Sequence, residues 1–166
     1  MDLYLMRHGS ALDVGTHGIQ TDAARPLSAD GRRKTREVAR GLAALDTRLA
    51  AIASSPLVRA VETARIVQEV LCPEVEPALC AHLRPGGSAA DLIGWLSDYV
   101  DRPILLVGHL PDLSDIASAL LSGHPGLAIE FHKAGVACFT CDGPPCPGRA
   151  QLQWLLEPGH LRALGR

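Results

Sequence analysis

Lysine is nearly missing from this chain of 166 residues: Lys34 and Lys133 are the only two, the other basic side chains are arginines, and the formal net charge is -2. So balanced a chain carries no electrostatic footprint for nucleic acid. It also lacks any run of about 18 apolar residues, the length a bilayer span requires. The first residues have neither the basic flank nor the apolar run of a secretory leader. No membrane partner is therefore expected, and a cytoplasmic location is. The cysteines, Cys72, Cys80, Cys138, Cys141 and Cys146, are odd in number and irregularly spaced, which argues against a disulfide framework and suits a reducing compartment. Cys138-x-x-Cys141 alone has metal-like spacing. It falls in an extended apolar segment where residues three apart face opposite sides, and no second pair completes a tetrahedral site. These thiols read as structural, and neither a metal nor a cofactor is expected.

What the chain does have is enough apolar content, 47%, to bury a full core as one domain over residues 1–166. Strand-like apolar runs alternate with helical patterns, the signature of an α/β sheet with crossover helices. Strands are expected near 2–7, 50–54, 77–81, 103–108, 134–141 and 151–156. Gly31 to Asp46 reads as a helix because Val38, Leu42 and Leu45 share one face and Arg32, Arg36 and Arg40 another. The next helix is expected to take Ser55 as its cap and Pro56 as its first residue. Helices near 88–100 and 111–122 complete the alternation. Between the first strand and the first helix runs a long polar loop, Ser10 to Asp30, and loops of this length in compact domains are usually functional. Pro- and Gly-rich stretches at 84–88 and 142–148 read as surface turns, and there is no internal repeat.

The first strand runs straight into Arg7-His8-Gly9, placing an imidazole and a guanidinium at a strand's carboxyl end, where open α/β sheets bind ligands. Ser54-Ser55-Pro56-Leu57-Val58-Arg59 follows the second strand and Val107-Gly108-His109-Leu110-Pro111 the fourth. Parallel strands would carry these loops to one rim, so Arg7, His8, Arg59 and His109 should converge. Singly, each has a plainer reading: Arg7 bridging to a helix carboxylate, Arg59 pairing with Glu62 or Thr63, His109 capping a helix. Together at one rim they favour a site. His17, His124, His132 and His160 have no such context. Glu62 reads as a solvated helix charge, and Asp112 and Asp115 as first-turn residues placed for the helix dipole.

These positions and their surroundings resemble the histidine phosphatase superfamily, marked by Arg-His-Gly after the first strand. Arg7-His8-Gly9-Ser10-Ala11, Arg25-Pro26-Leu27-Ser28-x-x-Gly31 and Trp154-x-x-x-Pro158-x-x-Leu161 look most like its SixA-type phosphohistidine phosphatases. The resemblance implies a phosphoglycerate mutase-like three-layer sandwich, a mostly parallel central sheet flanked by helices without a large lid. Where that subfamily often carries an acidic residue, this chain has Ser10 and His82.

The chemistry asks for such residues independently. Two guanidiniums, Arg7 and Arg59, can grip a phosphoryl group bidentately without a metal. His109 adds a donor, and the helix near Pro111 offers backbone N–H groups such as that of Leu110. Neutral imidazole is a good nucleophile near pH 7. The resemblance, and not the spacing, assigns that role to His8. Two roles are open for Arg25, reaching the phosphate or holding the loop shut. Ser10 and His82 are secondary candidates, His82 as a proton donor. A P–N bond needs little enzymic acid, because a phosphoimidazole protonated on its ring leaves as neutral imidazole. An open site would thus suit phosphohistidine on a phosphotransfer protein. A small-molecule phosphomonoesterase and a non-catalytic phosphoprotein-binding module are the alternatives. The expected assembly is a monomer.

Overall fold

In the computed structural model, which describes residues 1–100 and 102–166, the first strand, β1 (Asp2–Arg7), lies inside the sheet. It pairs in parallel with β4 (Ile104–Gly108) and antiparallel with β5 (Val136–Cys141). β2 (Ala51–Ser54) and the two-residue β3 (Ala78–Leu79) extend the parallel side, and β6 (Ala150–Leu156) extends the antiparallel side. The order is β3-β2-β4-β1-β5-β6. The parallel strands β2 and β4 are buried along their whole length, which explains why they read as unbroken apolar runs and not as alternating ones.

Alternation along β1 builds two cores from one strand. Leu3 and Leu5 pack with Leu92, Leu113, Leu120 and Phe131 on one face, and Tyr4 and Met6 with Val38, Leu42, Ala64 and Leu161 on the other. The first group comes from the layer of α3 (Ala89–Trp95) and α4 (Asp112–Ser122), the second from α1 (Ala29–Ala44), α2 (Val58–Leu71) and α5 (Pro158–Leu164). Fully burying one such large apolar side chain contributes about 1.5–3 kcal/mol. Cys138 and Cys141 fall in opposite cores, as strand geometry requires of residues three apart. They are free thiols.

The alternation of strands and helices agrees with expectation; several boundaries do not. β3 stops at Leu79 because residues 81–83 turn into a 3-10 helix. α1 begins two residues early, capped by Ser28, whose Oγ accepts from Gly31 N–H at 3.0 Å. α2 begins at Val58 with Leu57 in the capping position and no side-chain cap, so Ser55 and Pro56 lie outside the helix. α5 was not expected at all. Its first turn holds Pro158, and buried Leu161 lies so close to α1 that a side chain at Gly41 would collide with the Leu161 backbone.

The arginine face of α1 is not simply solvated. Arg32 pairs with Glu62 and Arg36 with Glu69, each at 2.7 and 2.6 Å respectively, bridging to α2. As partly exposed pairs they contribute at most about 1 kcal/mol each. Because β1, β2 and β4 run parallel, with Arg7 opposite Gly108 and Ser54 opposite Val107, their carboxyl ends open on one rim.

Candidate active site

Two features hold the Arg7-His8-Gly9 turn in place. Gly9 N–H donates to Thr63 Oγ1 at 3.0 Å, and Thr63 Oγ1 donates in turn to the Arg59 carbonyl at 2.7 Å, tying the turn to α2. A side chain at Gly9 would strike Thr35 Oγ1 and Leu27, so only glycine lets the turn approach α1 so closely. The long loop is closed at its base. Ser28 N–H donates to the Ser10 carbonyl and Leu12 N–H to Pro26, both at 2.9 Å, and Ala11 bridges to Leu27. Glu62 is part of this closure and not a solvated charge: one carboxylate oxygen accepts from Leu27 N–H and the other from Arg32, both at 2.7 Å.

Arg7, His8, Arg59, His109 and Leu110 meet in the walls of a cavity of about 420 Å³. The four polar residues come from positions up to 102 residues apart in the chain. The two imidazoles sit 5.0 Å apart between ring centroids. His8 Nδ1 is 2.7 Å from the Gly9 carbonyl, an acceptor, so Nδ1 carries the hydrogen. Nε2, which receives the Arg59 Nε hydrogen at 3.2 Å, is then the nitrogen with the lone pair. Arg7 Nη1 donates to the Phe131 carbonyl at 2.8 Å, while its buried Nε has no partner among the described residues.

His109 is buried, with Nε2 2.8 Å from Ser55 Oγ. Ser55 Oγ also accepts a long contact from Leu57 N–H, at 3.4 Å. His109 Nδ1 has no partner among the described residues and is free for a ligand. The serine expected to cap a helix instead orients an imidazole. Nothing local in the sequence marks that contact, which spans 54 residues.

Sequence reasoning also missed Asp22, in the wall of the same cavity. Its carbonyl accepts from Arg59 Nη1 at 2.7 Å and its carboxylate from Arg59 Nη2 at 2.9 Å, so a carboxylate occupies the fork that would grip a phosphoryl group. Hydrogen bonding from Arg25, then from Arg59, outweighs the opposing effect of burial and holds the Asp22 carboxyl below its ordinary range. Arg25 bonds Asp22 and Asp13 at 2.9 and 3.1 Å and also reaches the Leu12 carbonyl. It stands in the cavity wall, yet in this arrangement it holds the loop shut.

The two other secondary candidates are corrected. Ser10 lines a neighbouring cavity, not this one, because its carbonyl is held by Ser28 at the base of the loop. His82 is exposed on the 3-10 turn and absent from the cavity wall, where Pro85 stands. The wall gains Lys133, which sequence reasoning did not select. Among the described residues no three His, Cys, Asp or Glu side chains gather as a metal site, and no helix is long and apolar enough to cross a membrane.

Burial pushes His8 down to about 3, opposed by its bond to Gly9 and reinforced by His109, Arg59 and Arg7. Burial, with Arg59 and Arg7 and against Asp22, pushes His109 down to about 4. Both rings therefore remain neutral in the folded protein at pH 5, and nitrogen NMR shifts should show them so. In the unfolded chain each titrates near 6.5. Below that value the unfolded state takes up protons that the folded state refuses, so stability falls as the pH drops from about 6.5 towards 4. Charged-ring shifts for His8 or His109 at pH 5 would contradict the burial argument.

The profile of the histidine phosphatase superfamily (branch 1) matches residues 3–84. An uncharacterized protein of Picosynechococcus sp. is 36% identical over 140 residues, 82% of each chain. Phosphohistidine phosphatase SixA of Escherichia coli is 25% identical over 98% of this chain and 97% of that protein. A solved structure of the protein histidine phosphatase SixA complexed with tungstate matches with a TM-score of 0.84 at 25% identity, over 97% of this chain and 99% of that one. With the Arg7-His8-Gly9 turn, Arg59 and His109 gathered at one rim of such a sheet, the chain belongs to the histidine phosphatase superfamily and has the phosphoglycerate mutase-like fold of SixA.

Proposed function

We propose that this protein removes the phosphoryl group from phosphohistidine on a phosphotransfer protein, through a covalent intermediate on His8. The observation that carries the reading is the cavity wall itself. Its one carboxylate is Asp22, held ionised foremost by Arg25, which stays with it when Arg59 turns to the phosphoryl group, and His82 stands off the wall. At neutral pH a carboxylic acid is therefore not at hand to protonate an alkoxide, a service worth about 10²–10⁴ in rate. Phosphohistidine does without it.

In the first step His8 Nε2 attacks phosphorus in line as the bond to the substrate's imidazole breaks. The bonding electrons return to that ring, which is protonated on its other nitrogen and leaves as neutral imidazole. Arg59, freed from Asp22, Arg7 and the His109 ring hold the three equatorial oxygens. Water then attacks the phosphohistidine on His8, releasing inorganic phosphate and restoring the ring. The similarity to SixA along nearly the whole chain supports this substrate class.

Comparative kinetics test it. A phosphohistidine-bearing phosphotransfer protein should be turned over with kcat/KM at least tenfold above that of any alkyl phosphate, and His82→Ala should change the phosphohistidine rate by less than about tenfold. Fast hydrolysis of alkyl phosphates with phosphohistidine ignored would establish a small-molecule phosphatase instead. Binding of the phosphoprotein without turnover would establish a binding module.

A further inference from the structure

A second cavity, of about 410 Å³, adjoins the one around His8, with Arg7 and Lys133 in the walls of both. Lys34, Thr35, His132 and Arg162 also line it, and no carboxylate does. The only two lysines among 166 residues are thus gathered at one concavity, although they lie in unrelated elements, α1 and the segment before β5. Asp30 pairs with Lys34 and Glu37 with Arg162, each at 2.6 Å, and Glu157 stands 3.4 Å from His132, but these carboxylates sit outside the wall. Lys133 takes part in no ion pair among the described residues. Thr35 is fully buried, its Oγ1 packed toward Gly9 and without a hydrogen-bond partner among the described residues.

Arg7 and Lys133 have no ion-pair partner among the described residues, and the other basic groups are answered only from outside the wall, so the enclosed space faces cationic side chains and no carboxylate. We propose that this cavity is an oxyanion subsite that takes a second carboxylate or phosphate group of the substrate whose phosphoryl group enters beside His8. The inference rests on the assignment of the His8 cavity to the phosphoryl group and extends it to specificity. The anion has two conceivable sources, an acidic side chain near the phosphohistidine of a partner protein or a second anionic group on a small phosphate. Lys34 and Lys133 would meet either by charge-assisted hydrogen bonds.

Binding of inorganic phosphate, counted by equilibrium dialysis on the full chain, tests the site without turnover. Two ions should bind per chain. Arg59→Ala should remove one of them, and Lys34→Glu the other. Lys34→Gln, which avoids placing a new charge near Asp30, should weaken the second ion by about tenfold. Fewer than two ions on the unaltered protein, or two bound equally well by both Lys34 variants, would overturn the subsite whatever the natural substrate proves to be.

Kinetics then separate the sources. Lys34→Glu should raise KM about tenfold more for the true doubly anionic substrate than for p-nitrophenyl phosphate, which carries no second anion. If the ratio appears with phosphohistidine protein, the anion is a partner side chain. If it appears only with a phosphomonoester bearing a carboxylate, the anion belongs to a small molecule. Equal losses on all substrates would reject the subsite.

Discussion

His8→Ala should abolish turnover, with a loss on the order of 10⁴–10⁶, as expected when a nucleophile is removed from residues acting as a unit. The geometry sets this expectation apart from a merely structural defect. His8 is buried at the end of β1, and its ring makes two polar contacts, Nδ1 to the Gly9 carbonyl and Nε2 from Arg59. Alanine removes both but leaves Arg7, Arg59, His109 and Ser55 in place. The variant should therefore fold and still bind inorganic phosphate. Rapid quench with a labelled phosphodonor should trap an acid-labile phosphoenzyme on the unaltered protein and none on His8→Ala. A metal chelator should leave the rate of the unaltered protein intact. Turnover surviving in His8→Ala, or lost to the chelator, would reject the covalent route through this ring.

Arg59→Ala should lower kcat/KM by on the order of 10²–10³, the usual loss for one preorganised donor to a developing charge, and Arg59→Lys should recover little because an ammonium has no fork. Asp22→Ala should act in the opposite direction. In the structure the Asp22 carboxylate and carbonyl hold the Arg59 fork, and a phosphoryl group must displace them. The magnitudes decide the contest. The Asp22 side chain is 58% exposed, and a pair so open to water contributes at most about 1 kcal/mol. Charge-assisted bonds from a buried guanidinium to a phosphoryl group contribute about 1.5–3 kcal/mol each. Phosphate wins, at a modest cost whose carboxylate part Asp22→Ala removes while the carbonyl remains: KM should fall about two- to fivefold with kcat little changed. A rise in KM would mean that Asp22 positions Arg59 for substrate instead of competing with it.

Much of this protein was determined by the order of its residues alone. The buried strands β1, β2 and β4 declare themselves as short apolar runs, and α1 as an apolar stripe. The parallel connections between them bring Arg7, His8, Arg59 and His109 to one rim, because a parallel strand leaves the next residue of each loop at the same edge. These are local periodicities and one topological rule, both readable without coordinates. Tertiary structure decided the rest, which concerns what each group touches. Ser55 looked like a helix cap and is the partner of His109. Glu62 looked solvated and clasps the loop, while Asp22 looked like loop polarity and holds Arg59. The two lysines, far apart in the chain, share a cavity wall. Each of these contacts joins residues 30 or more positions apart, with no periodicity connecting them, and each depends on an angle or a hydrogen bond set only when the layers pack. The assignment of hydrogen to Nδ1 of His8, and so of the lone pair to Nε2, belongs to the same class: it follows from the carbonyl that faces the ring, and only the folded backbone aims that carbonyl.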